Sequence, residues 1–302
     1  MGLNTASIFE FTIDGWRNTA YIKSVEGGYP KLNTIEEQVG ADNLFIKHGS
    51  TVEIDPISVE MGMQTGTEVL SWIQSSWRKE FSRHSGMITH ANFDKKALVD
   101  HHFRDALLTE AAFPTLDASS KEAAFLKFKI QPEAVELKPA SKSTVGQNLS
   151  PKQKMWTANS FSLKLDGLDV SKVAKIEGFT VKQGVKALYV GGQRFPQYEP
   201  TKITFPDLSV HISQIYAGSI MDWYENFVMK GKRDPSQEKQ GAIEFLAPDH
   251  KTVIYRIKLT NVGIKSCMIE RSASNDANTK KIKFDLYVGQ MDIDGEGVLS
   301  MA

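Results

Sequence analysis

Between positions 84 and 102 the chain gathers His84, His90, Asp94, Asp100 and the adjacent pair His101-His102, side-chain types that ligate a transition metal or relay a proton. The segment alternates like a strand, and successive strand residues point to opposite faces, so His101 and His102 are not set to chelate one ion together. Glu36-Glu37 and the pair Asp292 and Asp294 have the composition for acid–base work. No nucleophile accompanies them, and they read as solvated surface charge. Cys267 is the single cysteine, which excludes an internal disulfide and a multi-cysteine metal site. It stands in the strand-like run Ile264 to Ile269 without an activating partner and reads as a small buried side chain. The chain has no phosphate-binding glycine loop, no nucleophile elbow and no His-Glu-x-x-His pair. The residues therefore predict no catalytic site, no cofactor and no metal.

Trp72, Trp77 and Trp223 have faces that stack on sugars or bases, but their helical spacing assigns them to a core. After Thr65-Gly66-Thr67, Val69, Ile73 and Trp77 fall at i, i+4 and i+8 with Leu70 and Trp72 beside them, and Thr65 with Glu68 forms a capping-box pattern. In a second stretch Ser219 is the candidate N-cap for Ile220, Trp223, Tyr224, Phe227 and Val228. Trp72, Trp77, Trp223 and Phe227 are thus expected to anchor two helices.

Elsewhere the chain reads as short period-two strands bounded by Gly, Pro, Asn and Asp, which are half-buried antiparallel strands. Ile57, Val59 and Met61 alternate with polar residues, as do Leu208, Val210 and Ile212, then Leu126, Phe128 and Ile130, then Ile282, Phe284 and Leu286. Residues 40–51 and 185–200 read as irregular loops. They hold Leu44, Phe45, Ile46, Leu188, Tyr189, Val190 and Phe195, more apolar surface than a monomer needs, so Leu44, Phe45, Ile46, Tyr189, Val190 and Phe195 are candidate contact residues. Strands of unrecognised register are the other reading.

The pattern occurs twice. Phe9, Phe11 and Ile13 alternate before Asp14-Gly15, and Phe161, Leu163 and Leu165 alternate before Asp166-Gly167. Val25-Glu26-Gly27 returns as Ile176-Glu177-Gly178, and Trp72 returns as Trp223, each 151 positions on. The expected organisation is an antiparallel β domain over 1–137, a linker over 138–158 rich in Lys, Ser, Pro, Gln and Asn, and a second such domain over 159–302. Lys138, Lys142, Lys152 and Lys154 read as solvated linker lysines.

Composition bounds the partners. The chain has 302 residues, 41% of them hydrophobic and 24% charged, with 36 Lys plus Arg against 36 Asp plus Glu. Neutrality removes any global pull towards nucleic acid or an anionic membrane. No apolar run approaches the ~20 residues of a membrane span, so a soluble protein is expected. Met1 to Ala6 carry no export or myristoylation pattern, so cytoplasmic synthesis is expected, and the sequon Asn148-Leu149-Ser150 carries little meaning.

The order of these elements resembles the tail-tube proteins of contractile-tailed phages and contractile injection systems. The residues carrying it are Ile13-Asp14-Gly15, Val25-Glu26-Gly27 and Leu70-Ser71-Trp72, then Leu165-Asp166-Gly167, Ile176-Glu177-Gly178 and Met221-Asp222-Trp223. Family members commonly carry one such domain, and their usual Asn-Ala-Trp-Pro run is reduced here to Arg104-Asp105-Ala106 and Thr260-Asn261-Val262. The resemblance implies a mainly β fold of two tandem antiparallel barrel or sandwich domains, each with one packed helix. It implies a structural subunit of a tail or injection particle whose stacked rings surround a conduit, in the tube or at its junction with the baseplate. Hub proteins of such baseplates close six similar domains from three chains, and whether three chains or six close this ring stays open. The implied partners are further copies of the chain, sheath and baseplate proteins, and DNA or effector passing without specific binding; no membrane is implied. A tandem β-sandwich module binding carbohydrate or protein through the irregular loops is the competing reading.

Overall fold

Asp-Gly between two extended runs specifies a tight hairpin, because the favoured two-residue turn needs positive φ. In the computed structural model Asp14 and Gly15 have φ of 46° and 85°, and they join β1 (Ile8–Ile13) to β2 (Trp16–Arg17), with Ile13 opposite Trp16. The structure describes residues 8–17, 21–40, 44–63, 67–146, 156–269 and 280–294. Residues 1–7, Thr65, the sequon, Lys152 and Lys154 lie outside these.

The first unit continues with β3 (Ile22–Glu26), β4 (Pro30–Val39), β5 (Leu44–Ile54), β6 (Ile57–Gly62), α1 (Thr67–Trp77), β7 (His84–Ala91), β8 (Ala97–Phe113), β9 (Leu116–Asp117), β10 (Phe125–Gln131) and β11 (Ala134–Pro139). The second comprises β12 (Phe161–Leu165), β13 (Val173–Ile176), β14 (Phe179–Leu188), β15 (Gln197–Thr204), β16 (Leu208–Ser213), α2 (Gly218–Tyr224), β17 (Lys239–Leu246), β18 (Val253–Ile269) and β19 (Lys281–Asp294).

The two units share one antiparallel topology. The sheet order β1-β7-β8-β10-β6-β3 recurs as β12-β17-β18-β19-β16-β13. Register recurs with it: Val59 lies opposite Val25 and Phe128, and Val210 opposite Ile176 and Phe284. The hairpin β4–β5 bulges between Leu32 and Thr34, and β14–β15 between Gln183 and Val185, again 151 positions on. Asp105 and Asn261, at φ of 51° and 55°, occupy the same left-handed position in β8 and β18, where Asp and Asn pay least among residues with a Cβ.

The alternating strands bury their apolar faces. Ile57, Val59, Met61, Leu126, Phe128, Ile130 and their counterparts Leu208, Val210, Ile212, Ile282, Phe284 and Leu286 belong to one continuous core spanning both units. α1 lays Val69, Leu70, Trp72, Ile73 and Trp77 on that core. α2 runs on as a wide turn over Glu225–Met229, which brings Phe227 down with Ile220 and Trp223. Ser219 is not its cap: the N-cap residue is Ala217, and the buried Ser219 hydroxyl has no hydrogen-bond partner. No helix among the described residues is long and apolar enough to cross a membrane.

The stretches read as irregular loops are hairpins. Residues 44–51 all lie in β5, and residues 185–188 and 197–200 in β14 and β15. Their register was hidden because β4 and most of β5 are exposed on both faces, which erases the period-two signal. The stretch at 138–146 is tied down. Val145 is buried and the Lys142 Nζ lies 2.7 Å from Oε1 of the buried Glu10, while Lys138 pairs with Glu136 at the exposed surface.

Candidate assembly site

The 17-residue strand β8 is longer than any one neighbour can cover. On one side β10 and β11 follow it; on the other β7 reaches only Ala106, opposite His84. Beyond that point the vacant edge of β8 is taken by β14 from the second unit, with Phe179 opposite Phe113, Thr180 opposite Ala112, Val181 opposite Ala111 and Lys182 opposite Glu110. This is strand addition within one chain. It satisfies backbone groups that a sheet edge otherwise leaves open.

Aromatic packing reinforces the seam. The Phe113 ring stacks on Phe179 at 5.0 Å and meets Phe245 at 5.8 Å and Trp77 at 6.0 Å. Leu116 of β9 lies opposite Ile176 of β13. From α1 the Gln74 amide donates to the Ile293 carbonyl, and Arg78 Nη2 binds Asp292 at 2.8 Å. Around the second hairpin, Arg83 pairs with Glu133 and donates to the Tyr198 carbonyl at 2.6 Å, while the Tyr189 hydroxyl donates to Glu53 at 2.8 Å.

The candidate contact residues fall into two places. Leu44, Phe45 and Ile46 are exposed on β5 near the tip of the first hairpin. Tyr189 and Val190 are exposed just beyond β14, and Phe195 is half-buried with the Arg194 guanidinium 5.9 Å over its ring. The Tyr189–Glu53 bond sets the second tip against the base of the first hairpin. Phe45 lies roughly 26 Å along β5 from Glu53 at ~3.3 Å per residue, so the two groups do not form one patch within a chain. Trp72 and Trp223 are buried, their indole N–H groups donating to the Ser82 carbonyl at 3.1 Å and the Gln237 carbonyl at 3.3 Å.

The titratable residues are structural in their surroundings. His101 is buried with Nε2 2.8 Å from the Gly28 carbonyl, and its ring lies 6.4 Å from that of His90. Burial pushes both imidazoles below their ordinary pKa. Burial acts to raise Asp100, but bonds from the Ser141 amide, Thr89 and the Ser141 hydroxyl outweigh it and hold the carboxyl low. Among the described residues no three His, Cys, Asp or Glu side chains converge on a metal position. Glu36 pairs with Lys47 and Asp294 with Lys258, and the half-buried Cys267 Sγ lies 3.3 Å from Met221 Sδ. Sequence reasoning missed Glu10 and Glu244, whose carboxylates are buried beneath Arg17 and Lys142, and beneath Lys164 and Arg256.

Residues 6–136 match the family model for the T4-like virus tail tube protein gp19. That match spans nearly all of the first unit and 43% of the chain. The second repeats its sheet order, bulge and left-handed residue, so the chain carries the tail-tube fold in tandem. Similar solved structures include the anti-feeding prophage tube terminating cap (19% identity, 46% of this chain and 93% of that one, TM-score 0.38). The sheath-tube complex of the extracellular contractile injection system PVC is similar over 46% of this chain and 92% of that one, at 20% identity and TM-score 0.39. Hcp1 from Flavobacterium johnsoniae is similar over 45% and 94%, at 14% identity and TM-score 0.27. No curated protein matches the chain.

Proposed function

We propose that this tandem tail-tube chain builds rings that stack into the tube of a phage tail or contractile injection particle, or that close the tube at its baseplate junction. The observation that carries this is the seam, where β14 of one tube unit completes the sheet of the other. One such joint already makes half-units into a continuing wall, and repeating it around an axis closes a ring without exposed edges. Two units per chain let three chains make a ring of six similar domains. The exposed tips holding Leu44, Phe45, Ile46, Tyr189, Val190 and Phe195 are the surfaces that meet the adjacent ring. Sheath and baseplate proteins cover the outside and end of the tube, and DNA or effector passes through a wall whose chain carries a formal net charge of +0. Assembly follows cytoplasmic synthesis.

Negative-stain electron microscopy of purified protein tests the reading, with rings or tubes as the expected result. A chain that stays monomeric at all concentrations, with exposed aromatics binding glycan or peptide, would overturn it. Phe45→Asp separates stacking from ring closure, because a charge in an apolar ring-to-ring contact has no partner. Rings without tubes are expected; tubes of normal length would remove the hairpin tip from the stacking surface.

A further inference from the structure

The second unit has the same strand edge that the first has covered, and among the described residues no strand lies on it. β17 follows β18 only to Val262, while β19 accompanies the other side as far as Ile269. Counted from the shared left-handed residues Asp105 and Asn261, Ser266–Ile269 of β18 correspond to Glu110–Phe113 of β8, the segment that receives β14. Exposure shows the difference. Phe113 is 3% exposed and its counterpart Ile269 is 60% exposed, Ala111 is buried where Cys267 is half-buried, and Met268 is 53% exposed. An open apolar strand edge invites pairing with another chain unless it is blocked.

We propose that the Ser266–Ile269 edge receives β4 from a second copy of this chain, in the register that β14 adopts on β8. The proposal rests on the ring reading and gives its chain-to-chain joint an address. Strand and edge are both carried by one polypeptide, the strand on the first unit and the edge on the second, which is the arrangement a head-to-tail closed ring requires. The internal register translates to Lys31 opposite Ser266, Pro30 opposite Cys267 and Tyr29 opposite Met268. β4 is available: among the described residues β5 is its one strand partner, and Lys31 opposite Glu53 repeats Lys182 opposite Thr204. Tyr29 and Leu32 are exposed.

The two joints are not identical. Gly28 stands where the internal seam has Phe179, and Pro30 stands where it has Val181; the Gly28 N–H is already given to the Asp55 carbonyl and Pro30 has none, so the joint between chains lacks a stacked phenylalanine pair and two N–H donors. Tyr29, Met268 and Ile269 supply its apolar surface instead. The internal seam accordingly forms with the fold, and the weaker joint between chains forms on assembly.

The test uses the full chain. In a Cys267→Ser background, Tyr29→Cys and Met268→Cys together place thiols at directly opposed positions of neighbouring strands, close enough for a disulfide. Oxidation is expected to give a ladder of covalent oligomers on a non-reducing gel, whereas each single-cysteine variant gives at most dimers. Ile269→Asp, at an exposed position, is expected to keep the circular dichroism spectrum and shift sedimentation from oligomer to monomer. Oligomers that persist in Ile269→Asp, with no ladder from the paired cysteines, overturn the proposed edge and leave the ring reading standing. A wild-type chain that sediments as a monomer at every concentration overturns both.

Discussion

His101 illustrates how a residue that looks like chemistry becomes structure. Its ring is packed against His90, Tyr29 and the Gly28 carbonyl, with His102 on the strand's other face and the Asp100 carboxylate beside it. Burial lowers the pKa of His90 and of His101, so as pH falls below about 6.5 the unfolded chain takes up protons before the folded chain does. Stability is therefore full above that pH and declines below it. Depressed carboxyls such as Asp100 and Asp285 act in the same direction but lower, from about pH 4 downwards. Thermal melting is expected to show a lower Tm at pH 5.5 than at pH 7, and His101→Gln, which keeps a donor for Gly28, is expected to reduce that drop; an unchanged drop would remove His101 as its source. Trp223→Ala empties a buried site and is expected to cost about 3–5 kcal/mol, read as a large fall in Tm. An unchanged Tm would mean the indole is not part of the core. The helical spacing made Trp223 legible as core, whereas the burial of Glu10 was not legible, because one of its cations, Arg17, reaches it across a hairpin and the other, Lys142, comes from a distant position in the chain.

At the scale of elements, the strands whose two faces differ were legible, and those whose faces do not differ were not. β6, β10 and β19 alternate buried and less buried residues over most of their length, and β16 does so except at the buried His211. β4 and β5 carry their apolar residues into solvent, so no period separates a long hairpin from a loop. A second hidden device is a glycine in β7 and its counterpart in β17. A Cβ at Gly86 would run into the Thr12 carbonyl and the Phe103 ring, and one at Gly241 would run into the Lys164 carbonyl and the Leu165 side chain. Both positions let the opening strand of their unit approach closely, a use of strand glycine that needs the neighbour's position to recognise. Gly86→Ala and Gly241→Ala are each expected to cost about 1–3 kcal/mol through forced backbone displacement, measured by urea denaturation. Midpoints within error of wild type would show that the strands separate freely there.

At the scale of the whole molecule, the duplication was legible from motif spacing, while the joint between its copies was not, because strand pairing between distant segments leaves no local pattern. What the repeat supplies is an internal control: two equivalent strand ends, one covered and one open. Phe113→Ala removes the ring on which Phe179, Trp77 and Phe245 converge, and a buried aromatic truncation of this kind costs about 3–5 kcal/mol. Because one core runs through both units, the dissociated wild-type chain is expected to melt in a single calorimetric transition, and Phe113→Ala to lower it or split it in two. Ile269→Ala, at the counterpart position, removes side chain that is 60% exposed in the single chain and is expected to leave that melt unchanged while raising the concentration needed for assembly. Equal effects of the two substitutions on the dissociated chain would mean that the Ile269 edge is covered within one copy, and that the asymmetry between the two strand ends plays no part in joining chains.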